Sequence, residues 1–308
     1  MFSGGRRKEV ELCMLKRILC LLLAAALFLP ACAFAEEDPD PETVTYLDFG
    51  DKKMQYKKVL EILDQYPNLE KVDMFGTVVD LKKVNELTER YPNIEFGWTM
   101  NVGGDHLVRT DTTAFSTLHS TGEVGHTTEE IAMLRFCKNI RALDVGHNRV
   151  NDISWLADLK ELRILIIAVN HIEDISPLAN LTKLEYLEVF NNFITDISPL
   201  KGLTHLMDLN LCFNLISDYS PLYEMTWLKR LWLCSSKNRT MGKVPQEVQD
   251  KLELSLEDCY IDYTSWPSNG GWRDHEHFWV QHDIFRSPDG YMPFSDSWPD
   301  TDDGETNQ

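Results

Sequence analysis

Between residues 140 and 233 apolar positions recur on two superposed periods. Within a unit they alternate at period two, as a short strand with a buried face requires, and the whole unit returns every 22 residues. The units read IRALDVGHNRVNDISWLADLKE from Ile140, LRILIIAVNHIEDISPLANLTK from Leu162, LEYLEVFNNFITDISPLKGLTH from Leu184 and LMDLNLCFNLISDYSPLYEMTW from Leu206. A shortened LKRLWLCSSKN follows from Leu228. Leu143, Leu165, Leu187, Leu209 and Leu231 alternate with Val145, Ile167, Val189, Leu211 and Leu233, so both sets point inward from one parallel sheet. Asn148, Asn170, Asn192 and Asn214 stand where each strand bends away. An amide both donates and accepts, so a stacked row of them can satisfy the backbone groups freed at the bend. Ser236 takes the fifth slot and ends the row. Pro177, Pro199 and Pro221 stiffen the opposite side, where a unit this short has no room for a long helix. Cys137 holds the slot of Leu159, Leu181 and Leu203 and is expected to be a buried apolar filler.

The flanks carry different punctuation. Residues 46–93 hold two longer units, each a strand, a helix and a Pro turn, with Tyr66-Pro67-Asn68 recurring as Tyr91-Pro92-Asn93. Val59, Leu60, Ile62 and Leu63 mark one apolar helical face, and Leu81, Val84 and Leu87 another. Such units suit an N-terminal cap, because the first strand of a stacked array would otherwise expose its core. A hairpin is expected around Gly103-Gly104, a strand in TTAFSTL, and an N-cap at Thr127 before EEIAMLRF. After Lys251 the chain becomes irregular and rich in rings: Tyr260, Tyr263, Trp266, Trp272, Phe278, Trp279, Phe285, Tyr291 and Phe294. They are expected to cover the exposed end of the last repeat as a C-terminal cap. The acidic tail from Asp296 is expected to be disordered.

Each central unit fits LxxLxLxxNxI, the leucine-rich-repeat signature. The string NxIxDISPLxxLxxL, seen across residues 140–233, resembles the internalin-like class of bacterial leucine-rich repeats. The resemblance implies an α/β leucine-rich-repeat solenoid with one curved parallel sheet, in an exported bacterial protein whose concave face binds other macromolecules. The domain reading is a signal peptide at 1–35, the strand–helix cap and hairpin at 36–139, repeats at 140–249, and the C-terminal cap and tail at 250–308.

The leader reading rests on Lys16 and Arg17, the apolar run Ile18 to Leu29, and the small-residue site Ala33-Phe34-Ala35. The run is too short to span a bilayer. Leu29-Pro30-Ala31-Cys32 overlaps it and resembles a lipobox, so Cys32 is a candidate lipidation site, and the product is either secreted or lipid-anchored at the cell surface. The 308 residues contain 30 basic and 49 acidic side chains, a net charge of −19. That acidity argues against nucleic acid, and against membrane contact other than through a lipid anchor, because phosphate binding needs clustered cations.

Residues at the odd steps between the inward leucines face the concave side. Ile164, Ile166, Val169, Tyr186, Phe190, Phe213 and Trp232 make this face apolar where solvent would favour polar groups. Together with Glu188, Asp208 and Arg230 they are the expected partner-binding residues, the partner being a protein or a glycan; the alternative is that the stripe is covered by the chain's own N-terminal hairpin or C-terminal segment. Cys212 and Cys234 share one outward slot a repeat apart. Their Cα atoms should be about 5 Å apart, within disulfide range, and a bridge is the alternative. Two free thiols are the default, since side chains on neighbouring parallel strands point the same way and would strain a bond. His275, His277 and His282 form a secondary metal candidate, as three imidazoles could ligate zinc. No catalytic motif stands out, so neither an enzyme nor a cofactor is expected. The alternatives are a hydrolase or metal-binding protein built on that His/Asp segment, and a self-associating envelope protein.

Overall fold

A computed structural model describes residues 40–117, 125–234, 243–264, 272–287 and 290–297. The leader, Cys32, Ser236, Trp266 and the tail beyond Ser297 lie outside the described residues. The chain divides into two compact units, residues 1–101 and 102–308.

In the first unit, β1 (Tyr46–Asp48), β2 (Lys71–Val79) and β3 (Glu95–Val102) run parallel, with Leu47 opposite Val72 and Val72 opposite Phe96. Helices Tyr56–Leu63 and Leu81–Arg90 connect them, as the strand–helix pattern predicts. Val59, Leu63, Val84 and Leu87 are buried. Leu81 is exposed instead, because it opens the helix next to its N-cap Asp80, whose side chain accepts from Lys83 N.

The second unit is the stacked array. The Gly103-Gly104 turn, with both glycines at positive φ, leads into β4 (His106–Arg109). Seven parallel strands follow in one sheet: β5 (Ala114–Ser116), β6 (Ala142–Asp144), β7 (Ile164–Ile166), β8 (Tyr186–Glu188), β9 (Asp208–Asn210), β10 (Arg230–Trp232) and β11 (Tyr260–Asp262). Register is one repeat per step, with Leu143, Leu165, Leu187, Leu209 and Leu231 abreast. All five, and their partners Val145 to Leu233, are buried. Cys137 is buried with them. Short 3₁₀ turns such as Ser176–Asn180 and Ser198–Gly202 take the place of a helix on the convex side, with proline in the first turn, where it removes no needed N–H.

The asparagine row is present. Asn192 Nδ2 donates to the carbonyls of Ile167 (3.0 Å) and Val189 (3.1 Å), while its Oδ1 accepts from Ile172 N (3.1 Å). Asn170 and Asn214 repeat the pattern one unit to either side. At the residue before each asparagine the backbone turns left-handed: His147, Val169, Asn191 and Phe213 have φ of 55–59°. This conformation is uncommon for a β-branched residue such as Val169, and the repeated amide bonds hold it in place. Thr127 caps Thr128–Ile131 in a reciprocal box with Glu130.

Two expectations need correction. Cys212 and Cys234 form a disulfide, with Cα atoms 4.6 Å apart; parallel pointing in neighbouring slots brings the sulfurs together instead of keeping the thiols free. The ring-rich C-terminal segment does not sit only at the end of the array. Helix Gln246–Ser255 and β11 extend the array past β10, and residues 272–287, with helix Glu276–Ile284, and 290–297 lie over the concave face.

Candidate functional site

Strands of one sheet lie about 4.8 Å apart, so the odd-step residues of β6 to β10 form a continuous concave surface. That surface is not open to water as expected. Ile164, Ile166, Tyr186 and Trp232 are buried, and Val169, Phe190 and Phe213 pack against the same apolar cluster. The cover is the chain's own. Trp272 lies 5.0 Å from the Tyr186 ring and meets Trp232 edge-on at 4.6 Å, and Phe294 lies 6.0 Å from Tyr186. Each large buried side chain removed from water contributes about 1.5–3 kcal/mol, so the apolar character of the stripe is explained within the molecule.

The three polar members of the predicted set are engaged in the same way. Glu188 Oε2 accepts from Trp272 Nε1 at 2.9 Å and from the Tyr186 hydroxyl at 3.2 Å. Asp208 and Arg230 form a buried ion pair across β9 and β10. Above it, His275 Nε2 lies 2.7 Å from Arg230, and His277 places Nδ1 2.5 Å from Asp208 and Nε2 2.6 Å from Asp296. Phe294 stacks on His277 at 4.0 Å. A second buried pair, Arg163–Glu185, is tied to the cover by Ser297, whose hydroxyl donates to Glu185 at 2.6 Å. Burial holds the Glu185 carboxyl above its ordinary range, with Ser297 and Arg163 opposing.

The three histidines of the secondary metal candidate do not converge. Both ring nitrogens of His277 lie against carboxylates, His275 faces Arg230, and His282 packs on Trp279 beside Asp283. The groups gathered around His277 are Glu276 and Asp296 instead.

A cavity of about 320 Å³ remains where the cover crosses β6 to β8. From the sheet come Asp144, His147 and Glu188, and from the cover Arg273, Trp279 and Arg286. Of the ten predicted binding residues, only Ile166 and Glu188 line it. Asp144 accepts from Gly146 N (2.9 Å) and from Ser116 Oγ (3.1 Å). Burial pushes its carboxyl up to about 6, and these two bonds and Arg286 offset part of the rise. Burial also pushes Glu188 up to about 7, where the charge on Asp144 adds to the rise and the bonds from Trp272 and Tyr186 oppose it. Burial and nearby Arg273 lower His147. The site therefore sets two carboxyls, both raised by burial, beside guanidinium groups and rings. Asp144, His147 and the cover residues Arg273 and Arg286 fall outside the predicted set, which centres on the apolar outward positions of β7 to β10. The run of rings after residue 260 was the one signal of a cover.

Comparison with known proteins agrees with the repeat geometry. Residues 138–180 and 160–202 match the family "Leucine Rich repeats (2 copies)". No curated protein matches the chain in sequence. Among solved structures, internalin C2 of Listeria monocytogenes is similar at 24% identity and TM-score 0.38, over 66% of this chain and 74% of that one. Internalin F of the same organism aligns at 21% identity and TM-score 0.37, over 71% of this chain and 54% of its own. A leucine-rich-repeat protein of Leptospira interrogans aligns at 15% identity and TM-score 0.36, over 66% and 56%. This chain thus spans only a little over half the length of the latter two. The 22-residue units, with their aligned leucines and their asparagine row, are leucine-rich repeats.

Proposed function

We propose that the chain is an exported, non-catalytic interaction module that recognises a protein partner at the mouth of the concave cavity. Leucine-rich repeats are generally interaction scaffolds, and the observation that carries the reading is the division of the concave face. Most of it is sealed by residues 272–287 and 290–297, while a pocket remains with the buried Asp144 and Glu188 at its floor and Arg273 and the 54% exposed Trp279 on its cover side. A partner reaching Tyr186 or Trp232 would first have to lift the cover. At the pocket, a partner's lysine or arginine could reach the carboxyls, and its apolar stem would lie along the Trp279 ring. Secretion by the 1–35 leader, or a lipid anchor at Cys32, would place the module at the cell surface. A glycan is the other partner class, since rings and carboxyls also suit sugars. The helices among the described residues are not long and apolar enough to cross a membrane.

The test is a displayed random-peptide library panned on the full chain, followed by affinity measurements on the selected peptides. Peptides enriched in Lys or Arg whose binding falls at least tenfold in Trp279→Ala and in Asp144→Asn support the reading. Peptides that bind both variants as tightly as the wild type overturn it.

A further inference from the structure

Away from the concave face, the start of the second unit brings together Asp105, His106 and His126, from the Gly103-Gly104 turn, from β4, and from just before the Thr127 cap. Their ligand atoms lie within 4.8 Å of one another. Asp105 Oδ1 is 3.4 Å from His106 Nε2 and 3.6 Å from His126 Nε2. Both separations exceed the 2.7–3.2 Å of a hydrogen bond. They are close to the edge of a tetrahedron built on metal–ligand bonds of about 2.0–2.1 Å, which is roughly 3.3 Å.

His126 supplies an independent observation. Its side chain is only 7% exposed, and its Nε2 is buried with no hydrogen-bond partner among the described residues. Such an atom ordinarily costs stability, which a ligated ion would offset. The ring is also held on purpose-built backbone. The His126 N–H donates to Asn148 Oδ1 at 2.7 Å, its carbonyl accepts from Arg149 N at 2.8 Å, and the ring meets His106 at 71° with centroids 5.6 Å apart. Gly103, at φ +65°, lies under it. A Cβ there would fall 2.3 Å from His126 Cε1, so only glycine admits the imidazole at this place.

We propose that Asp105, His106 and His126 bind a divalent transition-metal ion, zinc by its ligand chemistry. Two imidazoles and a carboxylate are a three-ligand set that leaves a fourth position to water or to an outside group. Asp105, about a third exposed, opens the site to solvent, which gives the ion an entry path. The site ties the turn before β4 to the segment before the first repeat, so its expected role is to fasten the start of the array.

The full chain, stripped with chelator and dialysed, is titrated with Zn(II) by calorimetry and with Co(II) by visible absorption. One equivalent of Zn(II), the intense bands of four-coordinate Co(II), and a rise in melting temperature with Zn(II) are expected. Because His126 is buried and its replacement could disturb folding, Asp105→Ala and His106→Ala carry the test. Each should weaken uptake at least tenfold with an unchanged circular dichroism spectrum, whereas His277→Ala should bind as the wild type does. No uptake by the wild type, uptake undiminished in both Asp105→Ala and His106→Ala, or uptake lost in His277→Ala would overturn the proposal.

Discussion

Glu188 offers a sharp test of how the concave cover is held. Its carboxyl is buried against Trp272 and Tyr186, and burial, with Asp144 nearby, raises it from an ordinary 4.5 to about 7. The native state therefore retains a proton that the unfolded chain releases. For an acid raised in this way, stability is full below the unfolded value and is lost as pH rises from about 4.5 through about 7. The gap corresponds to about 3 kcal/mol once both states are ionised. Glu188→Gln keeps an oxygen to accept the Trp272 indole and removes the charge. The two proteins should agree within about 0.5 kcal/mol at pH 4.5, while at pH 8.5 the variant should be more stable by about 3 kcal/mol. For a unit of this size that is a melting shift of roughly 6–12 °C. Urea unfolding followed by tryptophan fluorescence across that pH range measures the difference. A difference that does not widen with pH, or a variant weaker than the wild type at pH 8.5, would refute the argument.

Three further outcomes are expected. Asn192→Ala strands the Ile172 N–H and removes one of the two amide donors to each of the carbonyls of Ile167 and Val189, which keep those of Asn170 and Asn214, and should cost about 1–3 kcal/mol in chemical unfolding. The exposed Asn180→Ala should cost under about 0.5 kcal/mol. Replacing Cys212 and Cys234 together by Ser opens a bridge with a sequence separation of 22 and should lower stability by about 3 kcal/mol. Dithiothreitol should bring the wild type to the same midpoint, and a reductant-insensitive midpoint would contradict the bridge. Trp272→Ala removes the ring between Tyr186 and Trp232 and should cost about 3–5 kcal/mol. Proteolytic nicking within residues 272–297 and increased dye binding should report it, and Trp279→Ala should show neither.

Much of the array is legible from one sequence because its constraints repeat. A fixed period places β6 to β10, and a row of amides marks each bend, since a buried bend leaves backbone groups that some side chain must satisfy. The concave side is a different case. Alternation shows that Ile164, Tyr186 and Trp232 point away from the leucine core, but it carries no information about what lies above them. The apolar stripe and the ring-rich segment after residue 260 are two halves of one interface. Which ring meets which strand is set by tertiary contacts such as Trp272 on Tyr186 and Trp232, which no periodicity describes. The Asp105–His106–His126 group is hidden for a related reason: His126 lies 20 residues beyond His106, with no motif spacing, and only the fold brings it to the Asp105-His106 pair. The two cysteines were visible as neighbours in one slot, but whether they bond depends on side-chain torsions that spacing does not report.

In the cover, Trp272 reaches back 84 residues to Glu188, Ser297 reaches 112 to Glu185, and Tyr291 N reaches 178 to Thr113. During synthesis the amino end emerges first, so Tyr186 and Trp232 exist before the residues that shelter them. Until Phe294 has been made, the nascent chain carries a wet, sticky trough, and a ribosome stall or premature stop in that interval would release an aggregation-prone product. A message that stops just before the Trp272 codon should therefore yield insoluble protein, although every leucine-rich unit in it is intact.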